Sequence, residues 1–233
     1  MIHARGVYHA HAACPPHGAR ERRIGRRAAN CHVCYHLRTE APLTTQLVTK
    51  EPAMKGIVFA EFAELVESKF GTDMVDTLIE KTNPPSGGVY VATGTYDHSE
   101  LVAMVVELSK QTQVPVPDLL IAFGKFLMPR FRASFPQFFD PHHRLFDFLE
   151  SVHGYIHIEV RKLYPDAMLP TLSCQRVSDN RMDVIYNSSR HLGDFGRGLI
   201  EGAAEQYRTK VRINPVAVDN DTIRFEVEIV DTR

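Results

Sequence analysis

The chain has no tryptophan and only four cysteines (Cys14, Cys31, Cys34 and Cys174) in 233 residues. Cysteines so few and so unevenly spaced cannot form a disulfide scaffold, so a reducing compartment, the cytoplasm, is the expected setting. Net charge is −1, which removes any global electrostatic case for nucleic acid or a membrane surface as partner. No apolar run approaches the ~20 residues of a membrane span, and the N-terminus lacks the short apolar core of a secretory signal. Catalytic signatures are missing as well. There is no G-x-S-x-G elbow, no glycine-rich phosphate loop and no H-E-x-x-H pair. Asp140, Asp147 and Glu150 are spaced like a solvated face, and Cys174 has no base near it in sequence. The composition is that of an ordinary soluble globular protein.

What is present divides near residue 53. Residues 1–53 hold eight Lys/Arg against three acids, and six of the twelve histidines, with no period of 3.6 or 2. A segment with no face to bury is expected to be disordered. Its Cys31-His32-Val33-Cys34, with Cys14, His17 and His36 nearby, is half of a zinc pattern. The second half at the usual spacing is missing, so a plain extension from a start placed too far upstream is favoured over zinc or a nucleic-acid-binding tail. Residues 54–233 are read as the folded domain, opening at Met54-Lys55-Gly56.

In that domain Ile57, Phe59, Phe62, Leu65, Val66 and Phe70 recur at helical spacing before Gly71, a natural stop. Met74, Val75, Leu78 and Ile79 mark a second helix, ended by Asn83-Pro84-Pro85-Ser86-Gly87-Gly88. Asp97 and Glu100 have capping-box spacing before Leu101, Val105 and Leu108. Pro117-Asp118 starts a fourth helix carrying Leu119, Leu120, Phe123, Phe126 and Leu127. A long helix is expected over 143–164, with the stripe Leu145, Leu149, Val152, Ile156, Val160 and Leu163. After Pro165 the period changes. Strands are expected at 171–177 and 181–189, then a helix over 192–207, then strands at 211–218 and 222–230. The helix over 192–207 carries Gly193, Gly196, Gly198 and Gly202, which allow something to approach its backbone closely. Helices first and a four-stranded antiparallel sheet last make an α+β domain.

Two features carry chemistry. His157 stands beside the stripe residue Ile156 and one turn from Val160. A neutral imidazole there is either a hydrogen-bonded core group or a metal ligand. His153, four residues earlier, could share zinc with it, but no third ligand is suitably spaced. Tyr186, Ser188 and Arg190 alternate on an expected strand, which would place a phenol, a hydroxyl and a guanidinium on one face. Such a face is either ordinary solvent-facing polarity or a grip for carboxylates, with Arg190 able to bind one in bidentate fashion. From the residues alone, both alternatives stay open for both features.

Taken together, the pieces resemble the haem nitric oxide/oxygen-binding (H-NOX) family, bacterial relatives of the sensor domain of soluble guanylate cyclase. The resemblance runs from Met54 to about Val230 and is carried by Met54-Lys55-Gly56, the helix with His157, Lys162-Leu163-Tyr164-Pro165-Asp166-Ala167, Pro170 and Tyr186-x-Ser188-x-Arg190. It implies a helical N-terminal part, a C-terminal part with the sheet, and haem b between them. His157 would be the proximal iron ligand. Tyr186, Ser188 and Arg190 would grip the propionates, and Pro170 would press on the porphyrin. Val58, Phe62, Phe195 and Leu199 would line the pocket. Oxygen-binding members carry a distal tyrosine where this chain has Phe195, which has no hydrogen to donate. The resemblance therefore implies a nitric oxide sensor that excludes oxygen, with carbon monoxide as a further ligand. It also implies a sensor and not an enzyme, signalling by rupture of the Fe–His bond to a separate effector such as a histidine kinase or a cyclic-di-nucleotide enzyme. Some members hold zinc near the sheet, but the residues around Gly193 supply no ligands for it. The rival expectations are a haem-dependent enzyme, which would need a distal acid or base, and a haem-free binding domain.

Overall fold

The computed structural model describes residues 53–232. The basic segment before them, with its Cys31 to Cys34 pair, lies outside the described residues.

Strand β1 (Ala53–Lys55) leads directly into α1 (Gly56–Phe70). Phe59, Phe62, Leu65 and Val66 lie three and four apart, so they share one buried face of α1. Gly71, at φ 88°, ends that helix and donates its N–H to Glu67. Helix α2 (Thr72–Thr82) closes at Asn83 in the left-handed region. Strand β2 (Thr95–Asp97) then pairs antiparallel with β1, an unanticipated two-stranded ribbon, and runs straight into α3 (His98–Thr112). Three-residue strands give no readable period, which is why the ribbon was not legible. Asp97 caps α3 as expected, accepting from the Ser99 N–H at 2.8 Å. Glu100 does not complete the capping box. It is buried instead, and accepts from Ser86 Oγ at 2.5 Å and Tyr90 Oη at 3.0 Å, pinning the loop before β2. Helix α4 (Val116–Ser134) has proline in its first turn, where a missing N–H costs nothing.

The expected long helix over 143–164 is corrected. It is α5 (Leu145–Ser151), a π-helical turn over Val152–Ile156, and α6 (His157–Leu163). The π turn, closed by the His157 N–H on the Val152 carbonyl, absorbs one extra residue and rotates the face that follows. The apolar stripe nonetheless carries on through the turn: Val152, Ile156 and Val160 still pack, partly buried, against the core that includes Leu145 and Leu149, and only its last member turns away. Leu145 and Leu149 are buried, whereas Leu163 is 64% exposed.

The sheet is four-stranded and antiparallel in the order β3 (Thr171–Ser178), β4 (Arg181–Asn187), β6 (Thr222–Thr232), β5 (Thr209–Ala217). Met182, Val184 and Tyr186 of β4, with Phe225 and Val227 of β6, alternate onto one buried face. Phe146, Phe148 and Leu149 of α5, and Ile200, Ala203 and Ala204 of α7 (Gly193–Gln206), cover it. A second core joins α1 to α4 and takes Leu192 and Phe195 from the start of α7. Helix α7 thus serves both cores. Its close neighbour is α4: a Cβ added to Gly124 would lie 2.5 Å from the Leu199 nitrogen, and one added to Gly198 would lie 2.3 Å from the Ile121 carbonyl. The expected close approach to this helix is backbone against backbone. The architecture is the α+β arrangement expected, with the helical half first and the sheet last.

Candidate functional site

His157 is the first residue of α6, presented by the π turn behind it. Its ring is largely buried, and its Nδ1 has no hydrogen-bond partner. Burial, chiefly, pushes its pKa down to about 4. Electrostatic interaction with His153 and with the Arg161 and Arg190 guanidiniums adds to this, and a hydrogen bond with the Pro170 backbone opposes it. Such an imidazole is neutral across the physiological range and keeps a lone pair for a metal. An unpartnered buried polar nitrogen costs about 1–3 kcal/mol, and that cost calls for a reason in a functional site. His153 stands with its ring 6.2 Å from that of His157, and its own Nδ1 is occupied by the Leu172 N–H at 3.5 Å. Among the described residues no group of three His, Cys, Asp or Glu side chains is placed to hold a metal ion. Haem needs only one such ligand, because the porphyrin supplies the other four donors.

Tyr186, Ser188 and Arg190, expected to grip carboxylates from one strand face, are arranged differently. Strand β4 ends at Asn187, so only Tyr186 of the three lies on a strand. Ser188 and Arg190 follow in a turn, where the Arg190 N–H meets Ser188 Oγ at 3.3 Å and the His191 N–H meets the Ser188 carbonyl at 3.2 Å. The turn brings the three together nonetheless. Burial raises the pKa of the Tyr186 phenol, and the neighbouring Ser188 side chain and the Arg190 charge oppose that shift. Tyr186 and Ser188 are both buried. Burial pulls the Arg190 guanidinium below its ordinary value, with Tyr186 opposing. Nη1 of Arg190 donates to the Met168 carbonyl at 2.7 Å and to the Ala53 carbonyl at 3.0 Å. A guanidinium has five donors, so others remain for an anion. His157, Pro170, Tyr186, Ser188 and Arg190 thus form one neighbourhood: a neutral imidazole with an unpartnered Nδ1 beside a half-buried cation and two hydroxyls.

The other expected residues fall in the helical core. Phe62 and Phe195 are buried there, and Val58 and Leu199 pack against it half-exposed. Phe123 joins them, stacked on Phe195 at 5.0 Å and edge-on to Phe62 at 5.3 Å. The sequence marks Phe123 only as a stripe residue, since helical spacing shows a buried face but not what that face meets. None of these side chains can donate a hydrogen bond. Cys174 plays no part: its thiol bonds the Leu149 carbonyl at 3.5 Å, and burial pushes its pKa up to about 11. Among the described residues no helix is long and apolar enough to cross a membrane.

The donor set therefore fits haem: one neutral nitrogen for the iron, a cation with two hydroxyls for carboxylates, and an apolar set without proton donors. A family model described as haem-NO-binding matches residues 55–215. The fold is similar to that of the unliganded Fe(II) H-NOX protein from K. algicida, at 35% identity and TM-score 0.73, covering 77% of this chain and 98% of that one. It is also similar to the H-NOX protein from S. oneidensis in the Fe(II)NO state, at 29% identity and TM-score 0.72, covering 76% and 100%. A third similar structure is the IWP-051-bound H-NOX from Shewanella woodyi in the Fe(II)CO state, at 36% identity and TM-score 0.67, covering 76% and 95%. No curated protein matches. The chain belongs to the haem-NO-binding, or H-NOX, family, whose members are haem-based gas-sensor domains.

Proposed function

We propose that this protein senses nitric oxide through haem b held at His157, excludes oxygen, and signals to a separate effector in the cytoplasm. The orphaned Nδ1 on a ring that burial keeps neutral supports this most directly. Bound haem supplies a ferrous iron at which a diatomic gas coordinates. His157 would hold that iron, Arg190 with Tyr186 and Ser188 would hold the propionates, and Pro170 would press on the macrocycle. Val58, Phe62, Phe195 and Leu199 would keep water and hydrogen-bond donors away from the gas. Oxygen gains most from a donor because its bound form carries partial negative charge, whereas nitric oxide and carbon monoxide gain less. An apolar lining therefore selects against oxygen. The same lining supplies no acid or base, which disfavours a haem-dependent enzyme.

Signalling would follow from the tether. While His157 is held, α6 is fixed, and once His157 is released α6 is free to move. A difference between those two arrangements is what biases an effector. A histidine kinase or a cyclic-di-nucleotide enzyme would suit that role.

An absorption spectrum of the purified protein, reduced without oxygen, tests the proposal. The protein is expected to be coloured, with a Soret band that moves on adding nitric oxide and stays in place under oxygen. His157→Gly should lose most of the pigment. Colourless native protein, or a His157→Gly spectrum identical to the native one, would sink the assignment. A stable new spectrum under oxygen would overturn the selectivity.

A further inference from the structure

The segment 164–170, which joins α6 to β3, is tied down at two points, and both ties reach β1. At one point Arg190 bridges the Met168 and Ala53 carbonyls. At the other, Asp166 accepts from Lys55 Nζ at 3.3 Å through both carboxylate oxygens and from Thr95 Oγ1 at 2.5 Å. Lys55 also donates to Thr95 Oγ1 at 2.7 Å, and its ammonium sits 4.9 Å from the centre of the Tyr164 ring. The Lys55 side chain is only 11% exposed, and that of Asp166 is 47% exposed. A cation so enclosed depends on its partners, because little water remains to replace them.

The position of this group in the chain is the second observation. Lys55 and Thr95 face each other across the β1–β2 ribbon. Strand β1 runs without a break into α1, which carries Val58 and Phe62, and β2 runs without a break into α3. A displacement of Asp166 is therefore delivered at once to the first turns of two helices in the other core. Asp166 itself lies three residues beyond the end of α6. No comparable polar link joins α6 to the helical half among the described residues, apart from the Arg190 bridge.

We propose that Lys55, Thr95 and Asp166 form a latch that passes the position of the His157 helix to the helical half of the molecule. The latch is closed while α6 is tethered and opens when α6 moves, freeing α1 and α3 to shift. The inference rests on the haem reading of His157 and adds to it the route by which the signal leaves the site. The three side chains are positioning residues, acting through α6, α1 and α3.

Hydrogen–deuterium exchange on the full chain, purified with its haem and reduced without oxygen, tests the latch before and after nitric oxide. In the native protein, exchange at 53–57, 95–98 and 164–170 is expected to rise on adding the gas. In Asp166→Asn, exchange at the same segments should be roughly two- to fivefold faster before any gas, as expected for loss of a half-exposed ion pair. The gas should then add little. Thr95→Val, which keeps the charges, should show the same direction to a lesser degree. Native-like exchange in both states of Asp166→Asn would overturn the latch. So would faster exchange that still rises by the native factor, because the group would then be a fixed staple. The absorption spectrum of the same samples separates the two failures. Missing haem sinks the His157 assignment and the latch with it, whereas gas-responsive haem with unmoved exchange sinks the latch alone.

Discussion

At the scale of the residue, the balance at His157 is between burial and charge. Its pKa, pushed from 6.5 to about 4 mainly by burial, means that the folded protein resists protonating it while the unfolded chain does not. The sign follows directly. Above pH 6.5 neither state is protonated there, and the group is silent. Below it the unfolded state takes up the proton first, so stability falls as pH drops, until the folded ring also titrates near pH 4. The full loss would be at most roughly 3 kcal/mol. For protein stripped of haem, the urea midpoint should therefore drop between pH 7 and pH 5, and His157→Leu should lose part of that slope. An unchanged slope in the variant would mean that another group carries the acid sensitivity. Tyr186 and Arg190 show the same competition, since each is drawn away from its ordinary pKa by burial.

At the scale of the element, helices α4 and α7 meet backbone to backbone where sequence supplies glycine on both sides. A Cβ at position 124 would press on the Leu199 nitrogen and, at 2.6 Å, on the Phe195 carbonyl. Neither is the yielding end of a side chain. Gly124→Ala is therefore expected to destabilise by about 1–3 kcal/mol, lowering the melting temperature by roughly 2–12 °C. Because the collision falls on Phe195 and Leu199, the variant should also alter the haem spectrum. Gly154, in the π turn, is the contrast: nothing lies within 4 Å of an added Cβ. Gly154→Ala should be neutral or gain up to ~1 kcal/mol, as alanine does over glycine in helical backbone. Thermal melts of the two variants check both expectations, and equal costs would refute the close-packing account.

At the scale of the whole molecule, α7 binds the two cores into one. Phe195 belongs to the helical core, Ile200, Ala203 and Ala204 to the core over the sheet, and Leu199 packs against both. Neither half can shed α7 without exposing apolar surface of the other. Urea unfolding followed by far-UV circular dichroism and by haem absorbance should therefore give coincident transitions. Two separated transitions would show that the halves unfold independently.

The sequence by itself determined the order of the elements, the change of period after Pro165, and the identity of the groups around His157. Periods of 3.6 and 2 are local consequences of burying one face, and the spacing of the family pieces survives any packing. Three things only the tertiary structure decided. The π turn before His157 depends on how α5 and α6 each find a neighbour, and its one trace in sequence is a glycine within an apolar helix. Glu100 leaves its capping role because Ser86 and Tyr90, distant in the capping pattern, offer it two hydroxyls in a buried place. Arg190 and Lys55 reach partners 137 and 111 residues away in the chain. No local period records a contact of that span, because it exists only once both cores have formed and set β1 against the segment that follows α6.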